Sequence, residues 1–129
     1  MSLQSKLDAF KADFETGKPP YQVPYSVIET MRRATAELIA SGAAQRALKA
    51  GEKLPAFTLS DPDGNAVSST DLLAHGPLVI SFYRGVWCPY CNMELRALQE
   101  ALPEFRAAGA SLVAISPQTR VNSRKSVRE

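Results

Sequence analysis

Two cysteines three residues apart, Cys88 and Cys91, are the residues of this sequence best suited to chemistry. They are its only cysteines, whereas a secreted disulfide scaffold would carry more of them at wider spacing. In a reducing compartment, a pair this close is more typical of redox catalysis or metal binding than of a structural disulfide. A closed zinc site needs four ligands, and His75 is the only histidine. A metal site shared between chains is therefore the weaker interpretation, and we expect no metal and no cofactor.

Cys88 is predicted to lie at the start of a helix, where a thiol becomes more acidic. Pro89 suits the first turn of that helix. The unpaired backbone N–H groups and the helix dipole place partial positive charge at the same point. Both effects stabilise a thiolate. We therefore expect a lowered pKa for Cys88 and an exposed sulfur that attacks as the nucleophile.

Cys91 is placed one turn into the same helix by apolar periodicity. A stripe spaced four, three, four and three residues apart predicts a face packed on a sheet; its members are Cys91, Leu95, Leu98, Leu102 and Phe105. Cys91 is then expected to be the less exposed cysteine, close enough to Cys88 for a disulfide. Two inert buried cysteines are the alternative.

Three side chains beside the pair are candidate substrate-binding residues. Trp87 and Tyr90 could form an apolar rim against which a partner packs, or they could simply cover the edge of the sheet. Arg84 could bind a carboxylate, for example on glutathione, or stabilise a thiolate. As a surface arginine it needs no such role.

An α/β arrangement is predicted around these residues. The apolar run 78–83 predicts a strand covered on both faces, and 111–116 predicts a second buried strand. The segment between them predicts one long helix from about 89 to 107, so the order strand, helix, strand indicates a parallel unit. The sequence Asp-Pro-Asp-Gly-Asn at 61–65 predicts the turn of a hairpin. A short helix, capped by Ser69 or Thr70, is expected to follow it.

Residues 1–50 are predicted to form a helical N-terminal extension. Apolar residues recur on one face over 3–14. A second helix is expected over about 26–40, and a short third turn over 43–48. The second helix is expected to turn four apolar side chains inward: Ile28, Met31, Leu38 and Ile39. Packing against the following domain is preferred here to a helical dimer contact.

Charge and hydropathy exclude several classes of protein. The net charge of +2 is spread along the chain except at the far C-terminus, and we expect no nucleic-acid partner. No run of about 18 apolar residues is present, so we expect no membrane span. Asp8, Lys11 and Asp13 interrupt the segment that a signal peptide would need to be apolar, so a cytoplasmic location is expected. Residues 118–129 are predicted to be a polar, solvated and only partly ordered tail.

The region from about 51 to 117 resembles the peroxiredoxin-like branch of the alkyl hydroperoxide reductase/thiol-specific antioxidant family. The similar segments are 51–59, the Asp63-Gly64 turn, 78–83 and 91–95. The sequence Trp-Cys-Pro-Tyr-Cys at 87–91 also resembles the thioredoxin active site and contains the Cys-Pro-Tyr-Cys tetrapeptide of glutaredoxins. This resemblance implies the N-terminal part of a thioredoxin-like three-layer α/β fold, incomplete at the C-terminus and preceded by the helical extension.

The resemblance also implies roles for individual residues. Peroxiredoxins carry the pattern Pro-x-x-x-Thr-x-x-Cys, followed by a Glu three residues later. Glu94 then places the peroxide-reacting position on Cys91. Cys88 stands at the Thr position and Arg84 at the Pro position, so two of the three marker positions differ from the pattern.

Two activities could use this pair of cysteines. A thiol-dependent peroxidase would oxidise one cysteine to a sulfenic acid and then form the disulfide; the alternative is a dithiol–disulfide oxidoreductase in which Cys88 attacks and Cys91 resolves. A non-enzymatic redox sensor or assembly module is the third interpretation. The partners implied are a hydroperoxide or disulfide substrate, a thioredoxin- or glutathione-type reductant, and a second copy in a homodimer.

Overall fold

The computed structural model describes residues 1–128, and the chain divides between Leu54 and Pro55 into two compact units. Residues 1–54, all of which are described, form three helices: α1 (Leu3–Glu15), α2 (Tyr25–Ala40) and α3 (Ala43–Arg46). The Ser2 hydroxyl accepts a hydrogen bond from the N–H of Ser5 and so caps α1. The predicted order of helices in this part of the chain is confirmed.

The apolar face of α2 is more exposed than predicted. Ile28 is buried, but the other three side chains expected to face inward are exposed: Met31, Leu38 and Ile39. The aromatic side chains of α1 pack elsewhere, since Phe10 lies 5.2 Å and Phe14 6.0 Å from the ring centroid of Tyr21, in the segment between α1 and α2. The prediction was therefore wrong for three of these four side chains and right only for Ile28.

The second unit contains a β-hairpin, a pair of parallel strands and helices. Its elements are β1 (Thr58–Ser60), β2 (Ala66–Ser68), α4 (Ser69–Leu73), β3 (Leu78–Phe82), α5 (Pro89–Glu100), α6 (Leu102–Ala107), β4 (Ser111–Ile115) and α7 (Arg120–Arg128). β1 and β2 pair in antiparallel fashion, and β3 pairs with β4 in parallel, with Ile80 opposite Val113. The predicted hairpin and the predicted strand–helix–strand unit are confirmed. Among the described residues, no helix is long and apolar enough to cross a membrane.

The hairpin turn is organised by the carboxylate of Asp61. Its Oδ1 accepts hydrogen bonds from the N–H groups of Asp63, at 2.9 Å, and Asn65, at 2.8 Å. The Asn65 side-chain amide donates to Oδ2 at 2.9 Å. These bonds, led by that of the Asn65 side chain, lower the pKa of Asp61. Helix α4 then begins with Ser68 as its cap, one residue earlier than predicted.

The parallel register of β3 and β4 depends on a close approach between the loops that precede them. Gly76 has φ +140°, and a Cβ there would lie 2.2 Å from the carbonyl oxygen of Gly109. The N–H of Ser111 donates to the carbonyl of Pro77 at 2.8 Å, which starts the ladder. This register places Phe82 opposite Ile115 at the carboxyl ends of the two strands, directly before the segment that carries the cysteines.

Two predictions about the elements around the site were wrong. The single helix expected over 89–107 is divided into α5 and α6 at Ala101, because Pro103 has no N–H to donate to the carbonyl four residues earlier. Strand β3 is not covered on both faces, since the Phe82 side chain is 70% exposed.

Residues 120–128 of the predicted polar, partly ordered tail form helix α7, and residue 129 lies outside the described residues. The guanidinium of Arg124 donates to the carbonyl of Pro62 at 3.2 Å and pairs with the carboxylate of Asp63 at 3.4 Å. Arg120 donates to the same carbonyl at 3.4 Å. Helix α7 is thus attached to the hairpin turn about 60 residues away, through contacts that no local pattern encodes.

Candidate active site

The two cysteines meet at the first turn of α5. Cys88 immediately precedes the helix, and its Sγ accepts a hydrogen bond from the N–H of Cys91 at 3.4 Å. The two Sγ atoms lie 2.7 Å apart, and neither cysteine is in a disulfide. The structure therefore brings together the two sulfurs that the sequence predicted to be close. Among the described residues, no cluster of three or more His, Cys, Asp or Glu side chains could hold a metal ion.

Both cysteines are buried, and their order of exposure is the reverse of the predicted one. Cys88 is 2% exposed and Cys91 is 8% exposed. The N–H of Cys88 donates to the carbonyl of Gly85 at 3.0 Å, which folds 85–88 into a turn and directs Cys88 inward. The prediction of an exposed Cys88 is therefore wrong.

The predicted direction of the Cys88 pKa is also wrong. Burial raises the pKa of the Cys88 thiol above its ordinary value of 9.0, and the hydrogen bond to Cys91 and the charge of Cys91 add to the rise. The N–H of Cys91 and the guanidinium of Arg84 act in the opposite direction. The predicted effect of the helix N-terminus is present, but the cost of removing a thiolate from water outweighs it.

Cys91 lies between the first turn of α5 and the end of β3. The N–H of Arg84 donates to its Sγ at 3.5 Å, so a backbone donor faces this sulfur from the strand side. On the next turn of the helix, the carboxylate of Glu94 accepts a hydrogen bond from the hydroxyl of Ser81 on β3 at 3.4 Å. These contacts join the start of α5 to β3 and set the orientation of Cys91.

The three candidate substrate-binding residues surround the pair. Trp87 is 61% exposed, and the guanidinium carbon of Arg84 lies 4.6 Å from the centroid of its ring, which is a cation–π contact. Tyr90 is half-buried on the first turn of α5. An indole this exposed does little to cover the sheet, which favours the interpretation of Trp87 as part of a rim.

Two side-chain amides hold the backbone above the cysteines, and neither was among the predicted site residues. The Oε1 of Gln118 accepts a hydrogen bond from the N–H of Val86, and the Nδ2 of Asn92 donates to the carbonyl of Val86, each at 2.9 Å. The available signal for Gln118 was its position just after β4. In a parallel sheet, residues that follow neighbouring strands lie at the same edge, so this position alone could have placed Gln118 near the residues that follow β3.

Comparison with known proteins places these features in a family. Residues 50–129 match the AhpC/TSA family. A Mycobacterium tuberculosis protein with a provisional peroxiredoxin name is 39% identical over 70 residues, which cover 54% of this chain and 44% of that protein. Peroxiredoxin Bcp of Escherichia coli K12 is 36% identical over 69 residues, covering 54% of this chain and 44% of the relative.

A chloroplast relative is similar over a comparable segment. Peroxiredoxin Q of Oryza sativa subsp. japonica is 36% identical over 66 residues, which cover 51% of this chain and 30% of the relative. The chain thus spans less than half the length of each of these relatives. The family match includes both cysteines, the two parallel strands and the two helices between them. The chain therefore belongs to the AhpC/TSA family, and its second unit has the thioredoxin-like α/β fold of that family.

Proposed function

We propose that this protein is a thiol-dependent peroxidase that reduces hydroperoxides through Cys88 and Cys91. The observation that carries the proposal is the 2.7 Å separation of the two Sγ atoms at the first turn of α5. Two sulfurs this close can exchange between dithiol and disulfide with little movement of the backbone. Membership of the AhpC/TSA family and similarity to proteins named peroxiredoxin support the same chemistry.

Cys91 is proposed as the cysteine that attacks the peroxide. Its thiolate attacks one peroxide oxygen, the O–O bond breaks, and the other oxygen leaves as an alcohol or water after taking a proton. Cys91 is then a sulfenic acid. The Cys88 thiol attacks this sulfur, the disulfide forms and water leaves. A thioredoxin- or glutathione-type thiol reductant restores both thiols and is itself oxidised to a disulfide.

The alternative is a dithiol–disulfide oxidoreductase with Cys88 as the attacking thiolate and Cys91 as the resolving thiol. The Cys-Pro-Tyr-Cys sequence and the N–H of Cys91 directed at the Cys88 sulfur favour it. Burial argues against it, because Cys88 is 2% exposed and its pKa is raised. A small hydroperoxide needs a narrower opening than the disulfide of a folded protein, so the same burial favours the peroxidase.

The substrate and the reductant are proposed to meet the rim formed by Arg84, Trp87 and Tyr90. The exposed indole can pack against an apolar part of either molecule, and the exposed guanidinium can pair with a carboxylate. We further propose a homodimer and a cytoplasmic location. A reducing cytoplasm would return the pair to its dithiol form between turnovers.

The proposal is tested with single-cysteine variants and a hydroperoxide. The reduced chain should consume hydrogen peroxide in a thiol-coupled assay, and Cys91→Ser should abolish this consumption. Cys88→Ser should instead accumulate a sulfenic acid on Cys91, which dimedone traps and mass spectrometry locates. An exposed serine replaced by alanine, Ser5→Ala, serves as the matched control.

Two results would count against this assignment. If dimedone labels Cys88 in Cys91→Ser as fast as it labels Cys91 in Cys88→Ser, the attacking cysteine has been assigned wrongly. If the reduced chain leaves peroxide unchanged but reduces the disulfides of insulin, the oxidoreductase alternative replaces the peroxidase.

A further inference from the structure

We infer that Gln118 is a positioning residue that keeps the loop 84–87 closed over the two cysteines and so controls access to their sulfurs. The use of a closed loop in the reaction rests on the proposed function. The contacts that close the loop do not depend on which reaction the cysteines perform. Gln118 follows β4 and lies 30 residues after Cys88 in the sequence.

Both the oxygen and the nitrogen of the Gln118 side-chain amide form hydrogen bonds. Its Oε1 accepts from the N–H of Val86 at 2.9 Å, and its Nε2 donates to the hydroxyl of Tyr83 at 2.6 Å. Val86 and Tyr83 lie on either side of Arg84 and Gly85. One amide therefore holds both ends of the segment that bends over the cysteines.

The loop is also packed closely against this amide. Gly85 has φ +151° and is buried, and a Cβ there would lie 3.3 Å from the Oε1 of Gln118 and 2.7 Å from the indole nitrogen of Trp87. The carbonyl of Gly85 accepts the N–H of Cys88. The glycine thus lets the backbone pass between Gln118 and Trp87 and enter α5 with Cys88 pointing inward.

Gln118 also connects the loop to helix α7. Its Nε2 donates to the hydroxyl of Ser126 at 2.9 Å, and that hydroxyl donates to the carbonyl of Asn122 at 3.4 Å. A side chain bonded to a helix as well as to the loop has less freedom to rotate away. Gln118 therefore connects the closed loop to α7, and the side chain of Asn92 connects the same loop to α5.

The test measures access to the sulfurs rather than turnover. The reduced chain and its variants are alkylated with iodoacetamide, and mass spectrometry locates the label on Cys88 or Cys91. Gln118→Leu should raise the rate at Cys88 by about threefold to tenfold, which is the change in loop opening expected when the hydrogen bond from the N–H of Val86, the one that reaches into the loop, is lost. Gln118→Glu keeps an acceptor for Val86, and the hydroxyls of Tyr83 and Ser126 can donate to it, so its rate should stay near that of the wild type.

Three further variants make the result decisive. Gln118→Asn keeps an amide but is one methylene too short, so it should also raise the rate, and it serves if Gln118→Leu does not fold. Gln99→Ala, an exposed glutamine on α5, should leave the rate unchanged. Val113→Ala on β4 provides a variant whose melting temperature falls without loss of the amide.

The inference fails if Gln118→Leu and Gln118→Asn are both alkylated within twofold of the wild-type rate. It also fails if Val113→Ala raises the alkylation rate as much as Gln118→Leu does when the two variants lose the same amount of melting temperature. Gln118 would then act only through the general stability of the fold. Alkylation requires only reduced thiols. A chain that alkylates as expected but does not consume peroxide would overturn the proposed function and leave the role of Gln118 intact.

Discussion

Cys88 experiences two opposing effects at the start of α5. The N–H of Cys91 and the charge of Arg84 favour its thiolate, while burial and the neighbouring thiol favour its neutral form. Burial is the largest of these effects, so the folded protein holds the Cys88 proton more tightly than the unfolded chain does. With this balance of effects, Cys88 becomes a reactive thiolate only when the site opens to solvent.

The free energy of unfolding of the reduced protein should therefore depend on Cys88 at alkaline pH. The pKa of Cys88 in the folded state is raised above its ordinary value of 9.0. Above that value the unfolded chain has lost a proton that the folded chain retains, so the stability due to Cys88 is fully present below pH 9.0 and is lost as the pH rises through the folded pKa. Urea unfolding of the wild type and Cys88→Ser at several pH values measures this contribution.

The difference in unfolding free energy between the two proteins reports on Cys88 together with its interaction with Cys91, since the remaining groups that titrate at high pH are common to both. Above pH 9.0, the free energy of unfolding of the wild type should fall relative to that of Cys88→Ser. A constant difference across the alkaline range would show that the pKa of Cys88 is the same in both states, and the burial argument would then be wrong.

At the scale of elements, the pairing of β3 with β4 depends on two glycines that play different parts. Gly76 and Gly109 both have positive φ, but only Gly76 has a backbone atom where its Cβ would lie, the carbonyl oxygen of Gly109 at 2.2 Å. Gly109 has no heavy atom within 4 Å of that position. Gly109 therefore reports the cost of a left-handed backbone at φ +70° alone, whereas Gly76 combines a φ of +140° with the clash.

Gly109→Ala should lower the free energy of unfolding by about 1 kcal/mol, the ordinary penalty of a left-handed residue with a side chain. Gly76→Ala should lower it by at least about 2 kcal/mol, because the clash is with backbone and the strands must move apart to relieve it. Thermal or urea unfolding measures both changes. Equal losses in the two variants would show that the close approach before β3 does not hold the register.

These elements also show how much of the fold and site the sequence could predict. The strands, the hairpin and the first turn of α5 follow from patterns within about 20 residues, and the structure confirms them. The attachment of α7 depends on Arg124 meeting Pro62 and Asp63. The burial of Cys88 depends on a loop that Gln118 holds from 32 residues away. Contacts between distant residues leave no local period, so the sequence predicted neither the helix over 120–128 nor the burial of Cys88.

At the scale of the whole molecule, apolar side chains at the edge of the second unit remain exposed to solvent. Phe82 ends β3 and is 70% exposed, and within residues 1–128 the strand β3 pairs with β4 alone. A strand with a free edge and an exposed aromatic side chain is a surface on which another strand can pair. The homodimer proposed above is expected to use this surface, which is next to the turn that carries the cysteines.

Sedimentation equilibrium of the reduced chain should therefore detect a dimer, and Phe82→Ser should weaken it. Burying one phenylalanine side chain contributes about 1.5–3 kcal/mol, so the dissociation constant should rise at least about tenfold in the variant. Leu73→Ser removes an exposed apolar side chain from α4 and is the matched control, for which no change is expected. If the wild type sediments as a monomer at every concentration, or if the two variants weaken the dimer equally, Phe82 does not mark the interface. Exposure of an apolar residue would then carry no information about assembly in this chain, and the edge of β3 would have to be covered by other means.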